Sequence, residues 1–189
     1  MPLNASQLQA LHLASAPRWQ PAVHLTGAPA GAWRSWLQES GSLTRRLQGQ
    51  AQVSFQVEVL DQGVRPIHQV ERQWLQVTHN HIWVRQVLLK VDDQPWVFAR
   101  SLLPLDTRGN LLRRLTGVGQ QALGQLLFSQ PDIQRGELRF CAPDQLPFSS
   151  LWGRASCFYS GPLRLLVAEH YLPPMAEALQ LPTHRIFGD

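Results

Sequence analysis

The hydrophobic period changes near residue 52. Before it, apolar residues recur at helical spacing: leucines over residues 6–13 behind a Ser6 cap, then Trp33, Trp36 and Leu37 on one side of residues 28–37. Pro17 and Pro21 make the connector between these segments extended. Ser40-Gly41-Ser42 interrupts the pattern, and residues 43–47 predict a short further helix ending near Gly49. From Gln52 onward Val53, Phe55, Val57 and Val59 alternate with Gln52, Ser54, Gln56 and Glu58, the period of a half-buried strand. Asp61-Gln62-Gly63 predicts the turn that ends it.

Further strands are predicted at 73–77, 82–91 and 96–103, separated by His79-Asn80 and by Asp92-Asp93-Gln94-Pro95 and stopped by Pro104. Leucines return to helical spacing over 110–128, broken at Gly117 and Gly119. Strand-like runs follow at 137–141, 150–159 and 163–172, the last two joined by Ser160-Gly161-Pro162. The tail beyond Pro173-Pro174 is expected to be loosely attached. This order predicts an α+β fold: a single antiparallel β-sheet with helices packed on one face. With 189 residues, 44% of them hydrophobic, the chain suits one domain over 1–189.

Alternation places two charges on apolar faces. In 82–91, Arg85 shares its face with Trp83, Val87, Leu89 and Val91; in 163–172, Glu169 shares its face with Leu163, Leu165, Val167 and Tyr171. A buried unpaired charge costs several kcal/mol, so each needs a partner or a polar cavity. Two readings are open: the residues pair with each other, or they line a site. In the second, Arg85 is a fork for a carboxylate, and a desolvated Glu169 with a raised pKa exchanges a proton.

The net charge of +4 is spread along the chain without basic runs interleaved with stacking aromatics, which favours a small anion over nucleic acid. No apolar stretch approaches the roughly 18–20 residues of a membrane span, and the start at Met1-Pro2-Leu3-Asn4 lacks a signal-peptide pattern, so a cytoplasmic protein without stable membrane insertion is expected. Cys141 and Cys157 form no paired motif, and His79 and His81 lack a third ligand, so no metal is expected. Gly117-Val118-Gly119-Gln120-Gln121-Ala122 has dinucleotide-loop spacing but follows a helical run rather than a strand. A helix starting beside it would leave the Leu123 N–H without an intrahelical partner.

Four ordered blocks resemble the chorismate pyruvate-lyases of bacterial ubiquinone biosynthesis. They are Gly41-Ser42-Leu43-Thr44-Arg45-Arg46-Leu47; Trp83-Val84-Arg85-Gln86-Val87-Leu88-Leu89 with Gln94-Pro95-Trp96 and Arg100; Ala122-Leu123-Gly124 with Leu126-Leu127-Phe128; and Leu151-Trp152-Gly153-Arg154 with Ser160-Gly161 and the run from Glu169 to Pro173. The resemblance implies an internal ligand cavity covered by two helical flaps, conversion of chorismate to 4-hydroxybenzoate and pyruvate, no cofactor, and a monomer. It further implies that Arg85 holds the ring carboxylate with the backbone N–H groups of Leu43 and Leu123, while Glu169 meets the hydroxyl end of the ring. A Glu169 desolvated among Leu165, Val167 and Tyr171 is expected to orient that hydroxyl and to protonate the leaving ether oxygen. Ala155 stands where the family carries a second arginine. The rival reading is a non-catalytic aromatic-acid-binding module of the same fold, either an effector domain as in bacterial transcription regulators or a lyase relative that only sequesters an aromatic acid, which the Ala155 departure keeps open; the roughly 40 residues before the first block are too few for the helix-turn-helix domain such regulators carry.

Overall fold

The computed structural model describes residues 19–24, 31–105, 116–119, 121–142 and 152–183, with positions 6, 7, 10 and 113. Most of the first predicted helix, residues 28–30 of the second, residues 110–112, 114, 115 and 120 of the leucine-rich stretch, and residues 150–151 of the run at 150–159 fall outside the described residues.

Among the described residues eight antiparallel strands form one sheet. They are β1 (Gln20–Pro21), β2 (Phe55–Pro66), β3 (His81–Val91), β4 (Gln94–Leu103), β5 (Gln134–Arg135), β6 (Arg139–Cys141), β7 (Gly153–Ser160) and β8 (Leu163–Tyr171). The order is β1-β6-β7-β8-β4-β3-β2, with β5 also paired to β7. The β3–β4 hairpin turns on Asp92 and Asp93, both left-handed at φ 48° and 62°. Such geometry matches the twist of paired strands, and aspartate tolerates it. The Asp92 carboxylate accepts the N–H groups of Gln52, Val53 and Ser54 at 3.1, 2.8 and 2.9 Å, so the turn also anchors the chain leading into β2. Those hydrogen bonds hold its pKa below the usual range.

Five helices accompany the sheet among the described residues: α1 (Gly31–Leu37), α2 (Leu43–Gln48), α3 (Gln69–Leu75), α4 (Leu123–Phe128) and α5 (Pro173–Leu179). Trp33, Trp36 and Leu37 of α1, Leu43 and Leu47 of α2, and Met175 and Ala176 of α5 join the Val87, Leu89 and Val97 side of the sheet in one core. On the opposite side, Leu75 of α3 packs with Val84, Leu88, Phe98, Leu102, Leu166 and Ala168. Helices therefore cover both faces rather than one.

Three local expectations are corrected. Asp61-Gln62-Gly63 does not end a strand: β2 runs through it, and the register shift between Val59 and Asp61 is a bulge. Turn-forming residues are tolerated there because β2 is an edge strand, where a bulge also discourages pairing with other chains. Residues 73–77 are not a strand, because α3 ends at Leu75 and Gln76 closes it in the left-handed conformation at φ 57°. The overriding signal is the reciprocal cap between His68 and Glu71, which satisfies two groups at the start of the helix. The tail is not loose through Pro173–Leu179 either; residues 184–189 fall outside the described residues. Pro173 and Pro174 occupy the first helical positions of α5, where a missing N–H costs nothing, and Met175 is fully buried. Among the described residues no helix is long and apolar enough to cross a membrane.

Candidate functional site

Strand pairing brings Arg85 and Glu169 to the same sheet face. Arg85 on β3 lies opposite Ser101 on β4, which lies opposite Val167 on β8 and, through it, Ser156 on β7. The next row on that face is Val87, Ala99, Glu169 and Arg154. Arg85 and Glu169 thus stand one row and two strands apart, roughly 12 Å between backbones from ordinary strand spacing and rise.

They do not pair with each other. Arg85, only 2% exposed, donates from Nη2 to the carbonyls of Gly119 at 2.6 Å and Gln121 at 3.0 Å. Its Nε is buried and has no hydrogen-bond partner among the described residues. Burial pushes the guanidinium pKa down, so a carboxylate reaching it gains both charge and an unspent donor. The glycine run therefore offers carbonyl oxygens toward Arg85 and does not act there as an anion cradle.

Glu169 has a partner other than Arg85. Its Oε2 accepts from Arg154 Nε at 2.6 Å, and its side chain is 14% exposed. Arg154 is almost fully buried because it completes the end of α1: its Nη1 donates to the carbonyls of Trp36, Leu37 and Glu39 at 3.2, 3.4 and 3.0 Å. The last carbonyls of a helix lack intrahelical donors and favour a cation there. The Tyr171 hydroxyl donates to the same Trp36 carbonyl at 3.0 Å. Burial is the largest single influence and would lower the Arg154 pKa, but the charge and hydrogen bond of Glu169, with Tyr171 and Glu39, together outweigh it and the guanidinium is raised. Ala155, the departure from the family pattern, points to the opposite core and does not line the site.

Two helix starts close the site. Leu43 is the first residue of α2, behind Ser42, whose hydroxyl accepts the Arg45 N–H at 3.3 Å. Leu123 is the first residue of α4, behind Ala122. The helices meet at their first turns: a Cβ on Gly124 would lie 3.0 Å from the Thr44 Oγ1 and 3.6 Å from the Ser42 Oγ. A side chain there would have to push the Thr44 hydroxyl aside, so glycine favours that approach. The N–H groups of Leu43 and Leu123 are first-turn groups without intrahelical acceptors, and both residues line the same cavity as Arg85 and Glu169.

Arg135 and Ser101 line it as well, with Arg154 and Phe158. Arg135 on β5 donates from Nε to Ser156 Oγ at 2.9 Å and from Nη1 to the Glu39 carbonyl at 3.1 Å. Its guanidinium carbon lies 5.3 Å from the Phe158 ring centre and 6.0 Å from that of Phe128. Burial, then repulsion from Arg154, lowers its pKa. Sequence reasoning missed this residue: a two-residue strand after Pro131-Asp132 has no period to read. Arg154 stood inside a quoted block, but only the β7–β8 register, which sets it opposite Glu169, reveals its task.

The cavity is narrow, about 40 Å³, against roughly 300–1,000 Å³ for ordinary ligand pockets. An open groove of about 480 Å³ lies outside it, lined by Gln48, Phe55, Gln121 and Gln125. The two spaces share Ala122, so the segment bearing Gly119, Gln121 and Ala122 is the wall between them. Among the described residues no cluster of three or more His, Cys, Asp or Glu side chains is arranged to hold a metal ion.

Comparison with known proteins finds relatives over most of the chain. A Pseudomonas aeruginosa (strain PAO1) protein named "Probable chorismate pyruvate-lyase" is 39% identical, over 92% of this chain and 94% of the relative. A Chromohalobacter salexigens protein of the same name is 35% identical, over 88% of this chain and 94% of the relative. Among solved structures, the C-terminal domain of a histidine utilization repressor from Pseudomonas syringae pv. tomato aligns at a TM-score of 0.46 and 10% identity, covering 72% of this chain and 98% of that one. A similarity of that size carries no functional argument. The profile of the chorismate lyase family matches residues 13–179, which include every residue placed in the cavity above, and the chain belongs to that family.

Proposed function

We propose that this chain is a cytoplasmic, cofactor-independent lyase that splits chorismate into 4-hydroxybenzoate and pyruvate, the step that supplies 4-hydroxybenzoate to ubiquinone biosynthesis. One observation carries the assignment of the site: a buried arginine with an unspent Nε faces the same cavity as an ion-paired glutamate two strands away. Chorismate has a ring carboxylate, a hydroxyl para to it, and an enolpyruvyl ether on the carbon beside the hydroxyl-bearing one. The ether C–O bond breaks, the hydroxyl-bearing carbon loses its hydrogen, and the departing enolpyruvate gains a proton to become pyruvate. The ring becomes aromatic, so the reaction runs downhill without a redox group.

Arg85 and the N–H groups of Leu43 and Leu123 hold the ring carboxylate, displacing the Gly119 and Gln121 carbonyls as the wall moves outward. An ion-paired carboxylate is an acceptor, so Glu169 takes the hydrogen bond of the ring hydroxyl. It stands beside the carbon that loses its hydrogen, and relays that proton to the departing enolpyruvate rather than serving from the outset as an acid. Arg154 fixes the carboxylate in one orientation, which is the positioning this reaction most needs.

The test is to incubate the purified chain with chorismate and follow 4-hydroxybenzoate by chromatography, beside Glu169→Gln. Turnover by the wild-type chain is expected, with a fall of about 10²–10⁴-fold in Glu169→Gln, the usual worth of a positioned proton-transfer group. Binding of 4-hydroxybenzoate without turnover would favour a binding module, and undiminished turnover in Glu169→Gln would remove that residue from the chemistry.

A further inference from the structure

Resting on the reading above, we infer that Arg135 binds the second carboxylate of the substrate, the one carried by the enolpyruvyl group. The first ground is charge. Arg85, Arg135 and Arg154 line the cavity against one carboxylate, Glu169, so three positive charges and one negative leave two positive charges facing a dianion. Arg85 accounts for one. Arg154 is committed to Glu169 and to the end of α1. Arg135 is the remaining charge, and among the described residues it forms no ion pair; its hydrogen bonds go to a hydroxyl and a carbonyl. An arginine held by neutral acceptors keeps its full charge available to an anion.

Placement is the second ground. With the ring carboxylate on Arg85 and the hydroxyl at Glu169, the ether substituent projects sideways at the Glu169 end. Arg135 stands at that end: it is held by Ser156, whose β7 neighbour two residues away on the same face is Arg154, paired across to Glu169. The Phe128 and Phe158 rings, themselves 5.8 Å apart and edge-on, flank the guanidinium and limit where it can go. Such a cation distinguishes substrate from product, because the aromatic product keeps only the ring carboxylate. The negative charge that Arg135 recognises leaves with pyruvate.

The experiment compares ligands across variants of the full chain. The ligands are chorismate, 4-hydroxybenzoate, and a stable benzoate bearing a carboxymethyl ether meta to its ring carboxylate. Arg135→Met should raise the chorismate KM and the diacid Kd by at least about tenfold, as loss of a charged hydrogen-bond partner does, while the 4-hydroxybenzoate Kd stays within about twofold, since that ligand never reaches Arg135. Arg135→Lys should recover part of the diacid affinity, because it keeps the charge but not the fork. If Arg135→Met fails to fold, a loss in Arg135→Lys confined to the diacid and chorismate supports the assignment equally. Equal loss of affinity for diacid and monoacid would mark Arg135 as a brace for Glu39 and overturn the inference. Unchanged diacid affinity with intact 4-hydroxybenzoate binding would sink the inference alone, whereas a wild-type chain that does not bind 4-hydroxybenzoate would sink the whole site reading with it.

Discussion

Two buried arginines on neighbouring strands show how differently one side chain can be used. Arg85 on β3 and Arg100 on β4 are 2% and 4% exposed, on opposite faces of the sheet. Arg100 meets both oxygens of Glu71, at 3.1 Å from Nε and 3.5 Å from Nη2, and Glu71 also accepts the His68 N–H at 2.9 Å. That ion pair is closed: it caps α3, fastens it to the sheet, and leaves the carboxylate no role toward a ligand. Among the described residues Arg85 has no carboxylate partner. It leans on two backbone carbonyls of a wall segment and keeps Nε unspent. A buried charge with a built-in counterion is structural; on the function proposed above, the one left short of a counterion receives the substrate's carboxylate.

The largest expected effect lies on the structural side of that contrast. Glu71→Ala strands Arg100 without a counterion and removes the α3 cap, so we expect a loss of about 3–5 kcal/mol in urea unfolding. The chorismate KM of the remaining folded protein should hardly change, because Glu71 and Arg100 face away from the cavity. A KM shift comparable to that of an Arg85 variant would break the distinction between the two faces.

Arg85→Ala should show the converse. Its partners are carbonyls of a segment that must move, so stability changes little, while kcat/KM for chorismate falls by about 1.5–3 kcal/mol, or roughly ten- to a hundredfold. Arg85→Lys should recover only part of the loss, because an ammonium cannot reproduce the guanidinium fork. An Arg85→Ala protein with wild-type kinetics but a large drop in unfolding free energy would reverse the roles assigned to the two arginines.

The Arg85 half of this contrast was legible in the sequence; the Arg100–Glu71 pair was not. Alternation over β3 and β8 put Arg85 and Glu169 on apolar faces without knowledge of their partners, because strand period depends only on local backbone geometry. Partners depend on register and on segments distant in sequence. Arg154 reaches Glu169 through the β7–β8 pairing, Arg135 arrives on a strand of two residues, and Gly119 and Gln121 turn carbonyls toward Arg85 from a stretch with no period at all. The misread helix α3 has the same origin. A short alternating run at 73–77 suggested a strand, but Glu71, two residues earlier, was already committed to a cap and to Arg100, contacts that only the folded chain displays.

The smallest expected effect concerns the cover of the cavity. Gln125 on α4 donates from Nε2 to Gln48 Oε1 on α2 at 3.0 Å, an exposed link between the two helices whose first turns close the site. Exposed side-chain hydrogen bonds contribute little to stability, so Gln125→Ala should unfold within about 0.5 kcal/mol of wild type. If α2 and α4 must separate for a ligand to leave past Ala122, the link opposes that separation. Its loss should then raise the 4-hydroxybenzoate dissociation rate by a few-fold, on the order of the 0.5–1.5 kcal/mol a hydrogen bond is worth. The bound complex itself should change less, since Gln125 lines the outer groove and not the cavity. Stopped-flow displacement of 4-hydroxybenzoate measures the rate directly. An unchanged dissociation rate in Gln125→Ala would mean that the wall moves without the helices parting, and would shift the cover from α2 and α4 to the segment bearing Gly119 and Gln121 alone.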